Sequence, residues 1–429
     1  MNPTFHKLRP LVGLACATLL ASGLAACGGS ESGDDDITLR MTVWTGDEAQ
    51  LKMFNDIADD FMAEHPEVTD ITFDTVPFEG YTTALTTQVS GSNPPDLAWI
   101  LERDAPDFVA SGALADIAPT LEETSGYEYD DLTSSATALW ESDDKLFAYP
   151  FSTSPLGMFY NADLLEKAGV SQLPERLAAS GKWTWKNAEK IAAQVAAKTD
   201  ATGMVVRDWD YKNWINLAAV WRGFGAEAWS EDGKTCGFDS PEMNDAMTFL
   251  HDAIFDDDAM PAPGTTADFF AGESGMTITQ ISRASLLEGD PFSWGIVPLP
   301  SGPGGDAQVI GQAGIGVIAK GDHADAAAEF LAYFSNPENS TDLAQYFPPP
   351  RESLLNAKTL AKANPRFTKE QLDAVVVNGI KTGTVLPAHT DSAEITNQVQ
   401  AALDPMWKAD ADVSSVLQDV CTAIEPSLS

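Results

Sequence analysis

The chain has 429 residues, 44% hydrophobic and 21% charged. That is the balance of roughly two to three ordinary globular domains, and it excludes disorder, collagen and coiled coil as whole-chain answers. Acidic residues number 64 against 25 basic ones, a formal charge of −39, which repels phosphate backbones and excludes nucleic acid as a partner. Residues 1–10 carry His6, Lys7 and Arg9 and no acid, and an apolar run follows from Leu11 to Ala26. That run falls short of the roughly 20 residues a bilayer-spanning helix needs. A basic start, a short apolar core and small residues beyond it mark 1–26 as a secretory signal.

The run ends Leu24-Ala25-Ala26-Cys27, which resembles a bacterial lipobox. The resemblance implies cleavage before Cys27 and lipidation of its thiol; an ordinary signal with a chance cysteine is the alternative. Residues 27–36 are Gly/Ser/Asp-rich and read as a flexible tether. Cys16 leaves with the signal, so Cys236 and Cys421 remain. Two cysteines in an exported chain point to one disulfide, with two buried free thiols as the alternative. Isolated cysteines without clustered histidines are a poor metal signature, and neither metal nor cofactor is expected.

The mature chain opens with alternating Ile37 to Trp44, a strand. Thr45 to Glu48 has capping-box spacing, and Leu51, Phe54, Ile57, Phe61 and Met62 recur at helical spacing. Val68 to Val76 predicts a second strand, Tyr81, Leu85 and Val89 a second helix, Asp96 to Ile100 a third strand and Ala105 to Ser111 a short helix. This rhythm predicts a mostly parallel, doubly wound sheet. Further strands are predicted at 158–160, 204–206, 275–279, 294–298 and 314–319. Helices are predicted at 163–168, 184–198, 211–222, 241–255, 323–334, 368–377, 393–407 and 413–424. Proline- and glycine-rich breaks near Tyr149-Pro150 and Pro298 to Gly305 are expected to cross between two α/β lobes. The first lobe then takes 37–148 with about 306–345, and the second takes 149–305 with about 346–429.

Several stretches, in order, resemble the carbohydrate-binding group of extracellular solute-binding proteins of bacterial ABC importers, the group that includes maltose-binding protein. They are Pro95-Asp96 before Trp99 with Gly112 to Leu114, and Tyr149-Pro150 with Tyr160-Asn161, Asp163 and Ala168-Gly169. Trp183-Thr184-Trp185, Phe270 to Met276 and Trp294 to Gly304 continue the series. The resemblance implies two lobes joined by hinge segments, a ligand cleft between them and closure on binding. It further implies a sugar ligand, the transmembrane subunits of an ABC permease as partner, and membrane attachment through Cys27. The protein is expected to be a monomer and to do no covalent chemistry.

Sugar sites need aromatic faces for C–H surfaces and charged or amide groups for hydroxyls. Trp44, Thr45 and Asp47 occupy the family's first contact loop, although Thr45 reads equally as a helix cap. Glu102, Arg103 and Asp104 match its polar cluster after the third strand, or a solvated helix start. Ser154, with Ser152 and Thr153, places hydroxyls where the group often has an acid. Trp209, Asp210, Tyr211 and Trp214 form the densest mix of aromatic and charge, beside Arg207. Gln280, Arg283, Gln312 and Phe347 complete the predicted lining. Rival readings are the same fold holding a polyamine, peptide or glycerol phosphate, and an exported glycoside hydrolase. Against the latter, neither G-x-S-x-G, H-E-x-x-H nor a P-loop is present.

Overall fold

A computed structural model describes residues 36–207, 214–262, 264–265, 267–287 and 289–428. The lipidation candidate Cys27 and the cleft candidates Trp209, Asp210 and Tyr211 lie outside them. The described chain from Ile37 onward forms one compact unit. It begins β1 (Ile37–Val43), α1 (Glu48–Glu64), β2 (Val68–Thr75), α2 (Tyr81–Ser90), β3 (Leu97–Leu101) and α3 (Ala105–Ser111). Apolar residues at helical spacing drive α1, which buries Phe54, Ile57 and Phe61. Its cap is Asp47, whose carboxylate accepts from the backbone of Ala49 and Gln50 at 2.9 and 3.0 Å. Thr45, the predicted cap, instead donates to Gln50 Oε1 at 2.8 Å.

Next come β4 (Ala148–Asn161), α4 (Trp185–Lys198), β5 (Thr202–Val206), α5 (Pro241–Phe255), β6 (Ser274–Gln280) and β7 (Trp294–Val297). The chain ends with β8 (Val309–Val317), α6 (Ala324–Phe334), α7 (Ser392–Leu403) and α8 (Val413–Ile424). The strands order as β2-β1-β3-β8-β4-β6-β5, with β7 also paired to β4. β1 runs parallel to β2 and β3, and β5 parallel to β6. Between these parallel ends, β8 and β4 are antiparallel to each other and to their outer neighbours. The sheet is therefore mixed at its centre rather than parallel throughout.

One core lies under β1 to β3 and includes Trp99, Tyr149, Phe151, Ile315 and Phe334. A second lies under β5 and β6 and includes Met158, Met204, Trp221 and Met276. Both long central strands pass from one to the other. β4 gives Tyr149 and Phe151 to the first and Leu156 and Met158 to the second, while β8 gives Ile315 to the first and Val309 to the second. Sequence periodicity finds only the ends of these strands. In β8, glycine carries the strand where two walls close in. A Cβ on Gly314 would lie 2.9 Å from Ala148 Cβ and the Trp140 ring, and one on Gly316 2.8 Å from Leu114.

Three predicted helices change form. Of the predicted 211–222, the described part is a 3-10 turn (Trp214–Leu217), one α-helical turn (Ala218–Trp221) and a second 3-10 turn (Arg222–Phe224). After its capping box at Thr368 and Gln371, the segment from Leu372 to Val377 is a π-helix. The helix after Asp391 stops at Leu403, because Pro405 lacks an N–H and its ring clashes with the preceding turn. No helix of the described residues is long and apolar enough to cross a membrane.

Cys236 and Cys421 are joined, with Cα atoms 5.5 Å apart. The bond ties α8 to the approach to α5 and closes a loop of 185 residues. Cross-linking across so long a loop restricts the unfolded chain. The double variant Cys236→Ser/Cys421→Ser is expected to lose about 2–5 kcal/mol of stability, read as a lower midpoint in urea. An unchanged midpoint would contradict that role.

Candidate functional site

Where β4 and β8 leave one core for the other, the sheet is open to a cavity of about 390 Å³. Its floor is the middle of the two strands: Phe151, Ser152 and Ser154 of β4, and Gly311, Gln312 and Ala313 of β8. One wall holds Trp44, Phe78, Glu102 and Arg103, which follow the C-terminal ends of β1, β2 and β3. The other holds Arg207 after β5 and Gln280, Ser282 and Arg283 at the end of β6. Strand ends in α/β sheets collect binding groups because loops there are free of sheet pairing.

The aromatic part of the site is built from the core outward. Trp99 stacks on Phe151 at 4.5 Å, and Phe347 meets Phe151 edge-on at 5.1 Å. Trp44 rests on Trp99 at 4.7 Å and Tyr81 at 5.1 Å while staying half-buried, so part of its surface faces the cavity. Phe78 is 41% exposed. Four residues on, Arg351 is fully buried. Arg351 donates to the carbonyls of Ser335 and Glu128 at 2.9 and 3.2 Å and lies 4.5 Å from the Tyr127 ring.

The polar part spans both walls. Burial pushes the Glu102 carboxyl up, and the charges of Arg103 and Arg207 pull it back. Arg207 lies 5.8 Å over Phe78, so it reaches from the second wall to the first. Arg283 packs 4.9 Å over Phe270. Ser154 Oγ and Ser282 Oγ are 3.5 Å apart across the floor.

Of the predicted residues, the cavity gathers Trp44, Glu102, Arg103, Ser154, Gln280, Arg283, Gln312 and Phe347. Gln312 is 2% exposed and its amide is committed. It accepts from Trp140 Nε1 at 2.9 Å and donates to the Ala136 carbonyl at 3.0 Å and to Thr153 at 3.3 Å. It stiffens the floor. Thr45 and Asp47 stand outside the lining, at the start of α1. Trp214 is a core residue, 1% exposed, packed on Trp221 and Phe238; its neighbours Ile215 and Asn216 line the cavity instead.

Asp104 also turns away from the cavity. It accepts from Thr82 Oγ1 at 2.6 Å and lies 3.5 Å from Ser392 Oγ at the start of α7. Beside it, Asp107 Oδ1 accepts from the backbone N–H of Asp391 at 2.9 Å. Asp391 sits in the left-handed region at φ 59°. Two carboxylates packed with the first core thus meet the N-terminus of a helix packed in the second. Phe78, Phe151, Asn216 and Leu386 were not predicted as lining. Phe78 had a signal, a loop after a strand end; Leu386 had none. Far from the cavity, His65, Glu67 and Glu329 bring ligand-type atoms within 4.8 Å, with His65 Nδ1 3.3 Å from Glu67.

Burial raises the carboxyls of Asp104 and Glu102, and of Asp96 beneath β1. A carboxyl raised on folding binds its proton earlier in the folded chain than in the unfolded one. Stability therefore rises as pH falls through the window between the ordinary carboxylate value and the raised one. Exposed Asp163 and Asp232 are held low, and what they add is lost only in stronger acid. The melting temperature of residues 28–429 is expected to climb as pH falls from neutral toward the ordinary carboxylate range, and Asp104→Asn to flatten the climb. A slope unaffected by the substitution would refute the assignment.

Residues 45–341 match the model of the family described as bacterial extracellular solute-binding protein. A binding protein of Brucella abortus is 28% identical over 306 residues, covering 67% of this chain and 69% of the relative. The diacetylchitobiose binding protein DasA of Streptomyces coelicolor is 25% identical over 350 residues, covering 76% and 77%. An ABC substrate-binding protein of Listeria monocytogenes, solved in complex with cycloalternan, shares the two-lobed fold. Its TM-score is 0.78 at 22% identity, over 91% of this chain and 98% of that one. With more than half of its length matched, the chain belongs to the bacterial extracellular solute-binding protein family.

Proposed function

We propose that this protein is the saccharide receptor of an ABC importer, anchored at the outer face of the membrane through Cys27, monomeric and without covalent chemistry. The observation that carries the reading is the cavity at the crossing strands. It pairs aromatic surface from Trp44, Phe78 and Phe347 with hydroxyl, amide and guanidinium groups on two walls. Aromatic rings suit the C–H faces of a sugar, and directional polar groups suit its hydroxyls. Two of the relatives described above are named for saccharides, DasA for diacetylchitobiose and the Listeria protein for its cycloalternan complex. In this reading β4 and β8 are the hinge strands, the walls close on the ligand, and the closed form docks on the permease.

Closure then has a latch. The contacts of Asp107 with Asp391 and of Asp104 with Ser392 join the two cores only while the walls are together. A carboxylate at a helix N-terminus also meets the positive end of its dipole.

A melting-temperature screen of residues 28–429 against mono-, di- and oligosaccharides, with polyamines and dipeptides as controls, tests the reading. The matching saccharide is expected to add about 2.7 kcal/mol of stability at a hundredfold excess over Kd. A shift with a cationic control and none with any saccharide would overturn it. With that ligand, Asp107→Ala is expected to weaken affinity about 3- to 10-fold, the worth of one charge-assisted hydrogen bond. Equal affinity by titration calorimetry would remove the latch.

A further inference from the structure

We propose that Gly311 is a positioning residue for the bound saccharide: with no Cβ of its own, it lets the Gln280 amide lie over the floor and donate to a ligand oxygen. The inference rests on the saccharide reading and names the groups that fix the ligand on the second-wall side of the floor.

Gly311 of β8 stands opposite Ser154 of β4, and Gln280 is the last residue of β6, opposite Leu156 of the same strand. Both line the cavity. The Gln280 side chain reaches β8 at this glycine. A Cβ on Gly311 would lie 2.8 Å from Gln280 Nε2, 3.1 Å from Cγ and 3.4 Å from Cδ, and these are its three nearest atoms. Gly314 and Gly316 of the same strand differ. Ala148 and Trp140 close in on the first, Leu114 and Ile100 on the second, all of them core residues. A side chain at those positions presses on packing, whereas one at Gly311 presses on a flexible polar tip. Gly311 also lies outside the left-handed region, so its backbone conformation is open to alanine.

The amide has a use in the cavity. Gln280 is half-buried. Its Oε1 accepts from Thr279 Oγ1 at 3.3 Å, and among the described residues its Nε2 has no hydrogen-bond partner. A carboxamide nitrogen carries two donors, which suit hydroxyl and ring oxygens. Gln312, next to Gly311 in the floor, makes the contrast, because its amide is committed to Trp140, Ala136 and Thr153. Beside Gln280 the hydroxyls of Ser154 and Ser282 lie 3.5 Å apart. Amide and hydroxyls together form a neutral polar corner, and the opposite wall offers the rings of Trp44 and Phe78. Directional polar groups on one side and ring surface on the other are what a saccharide needs.

Titration calorimetry on residues 28–429 tests this, with the tightest binder among glucose, maltose, maltotriose, diacetylchitobiose and cycloalternan as the probe. Gly311→Ala and Gln280→Ala are each expected to weaken binding about 3- to 10-fold, the loss of one hydrogen bond. Because both changes act through one amide, the double variant is expected to bind within about twofold of either single variant. Its unliganded melting temperature is expected to match that of Gln280→Ala, since the added methyl then meets no amide. A double variant weakened by the product of the two single losses, or one that melts well below Gln280→Ala, would overturn this inference and leave the saccharide reading standing. So would Gly311→Ala binding as tightly as the parent. Binding of none of the probes by the parent would overturn both.

Discussion

The pairing of β4 with β8 is the constraint on which everything else hangs. These antiparallel strands are the two long elements that contribute to both cores, and the register Gln312 opposite Thr153 sets the floor between them. That register brings the Gln312 amide against Thr153 and the Trp140 indole, so the floor is fixed by buried hydrogen bonds rather than by any ligand. Buried polar networks of this kind hold a site when all members are satisfied. The walls can then differ in chemistry without disturbing the sheet. One is mainly aromatic with an acid and an arginine, the other polar with two arginines.

Much of the architecture was legible because its signals are local. The period-two and period-3.6 patterns from Ile37 to Ser111 mark β1 through α3 nearly residue by residue. The central strands were legible only at their ends. Pro150, Ser152, Ser154 and Pro155 break the apolar pattern of β4, and three glycines break that of β8. In both, long-range pairing overrides weak local preference. Trp44, Glu102, Arg103, Gln280 and Arg283 line the same cavity because they stand at strand ends, which the topology brings together.

What sequence could not provide is which way a side chain faces after packing. Trp214 belongs to an aromatic-charged run that reads as a site, yet Trp221 and Phe238 enclose it. Asp104 follows a cleft strand, yet Thr82 and Ser392 draw it to the other side. Phe347 reaches the floor from a proline-rich segment by packing on Phe54, Trp99 and Phe151, all about two hundred residues or more away in sequence. None of these partners is predictable from spacing along the chain.

The way both cores recruit late sequence bears on the order in which the protein can come into being. The first core needs Ile315 and Phe334 before its sheet is closed on both faces, and the second needs Val416 through Leu428. A chain that emerges from the ribosome amino end first therefore has no complete hydrophobic unit until most of it is out. The cysteine at 236 waits for its partner at 421 for the same reason. Long-range closure of this kind slows folding relative to local assembly. It leaves the first core unfinished until Phe347 has been made and the second until Leu428.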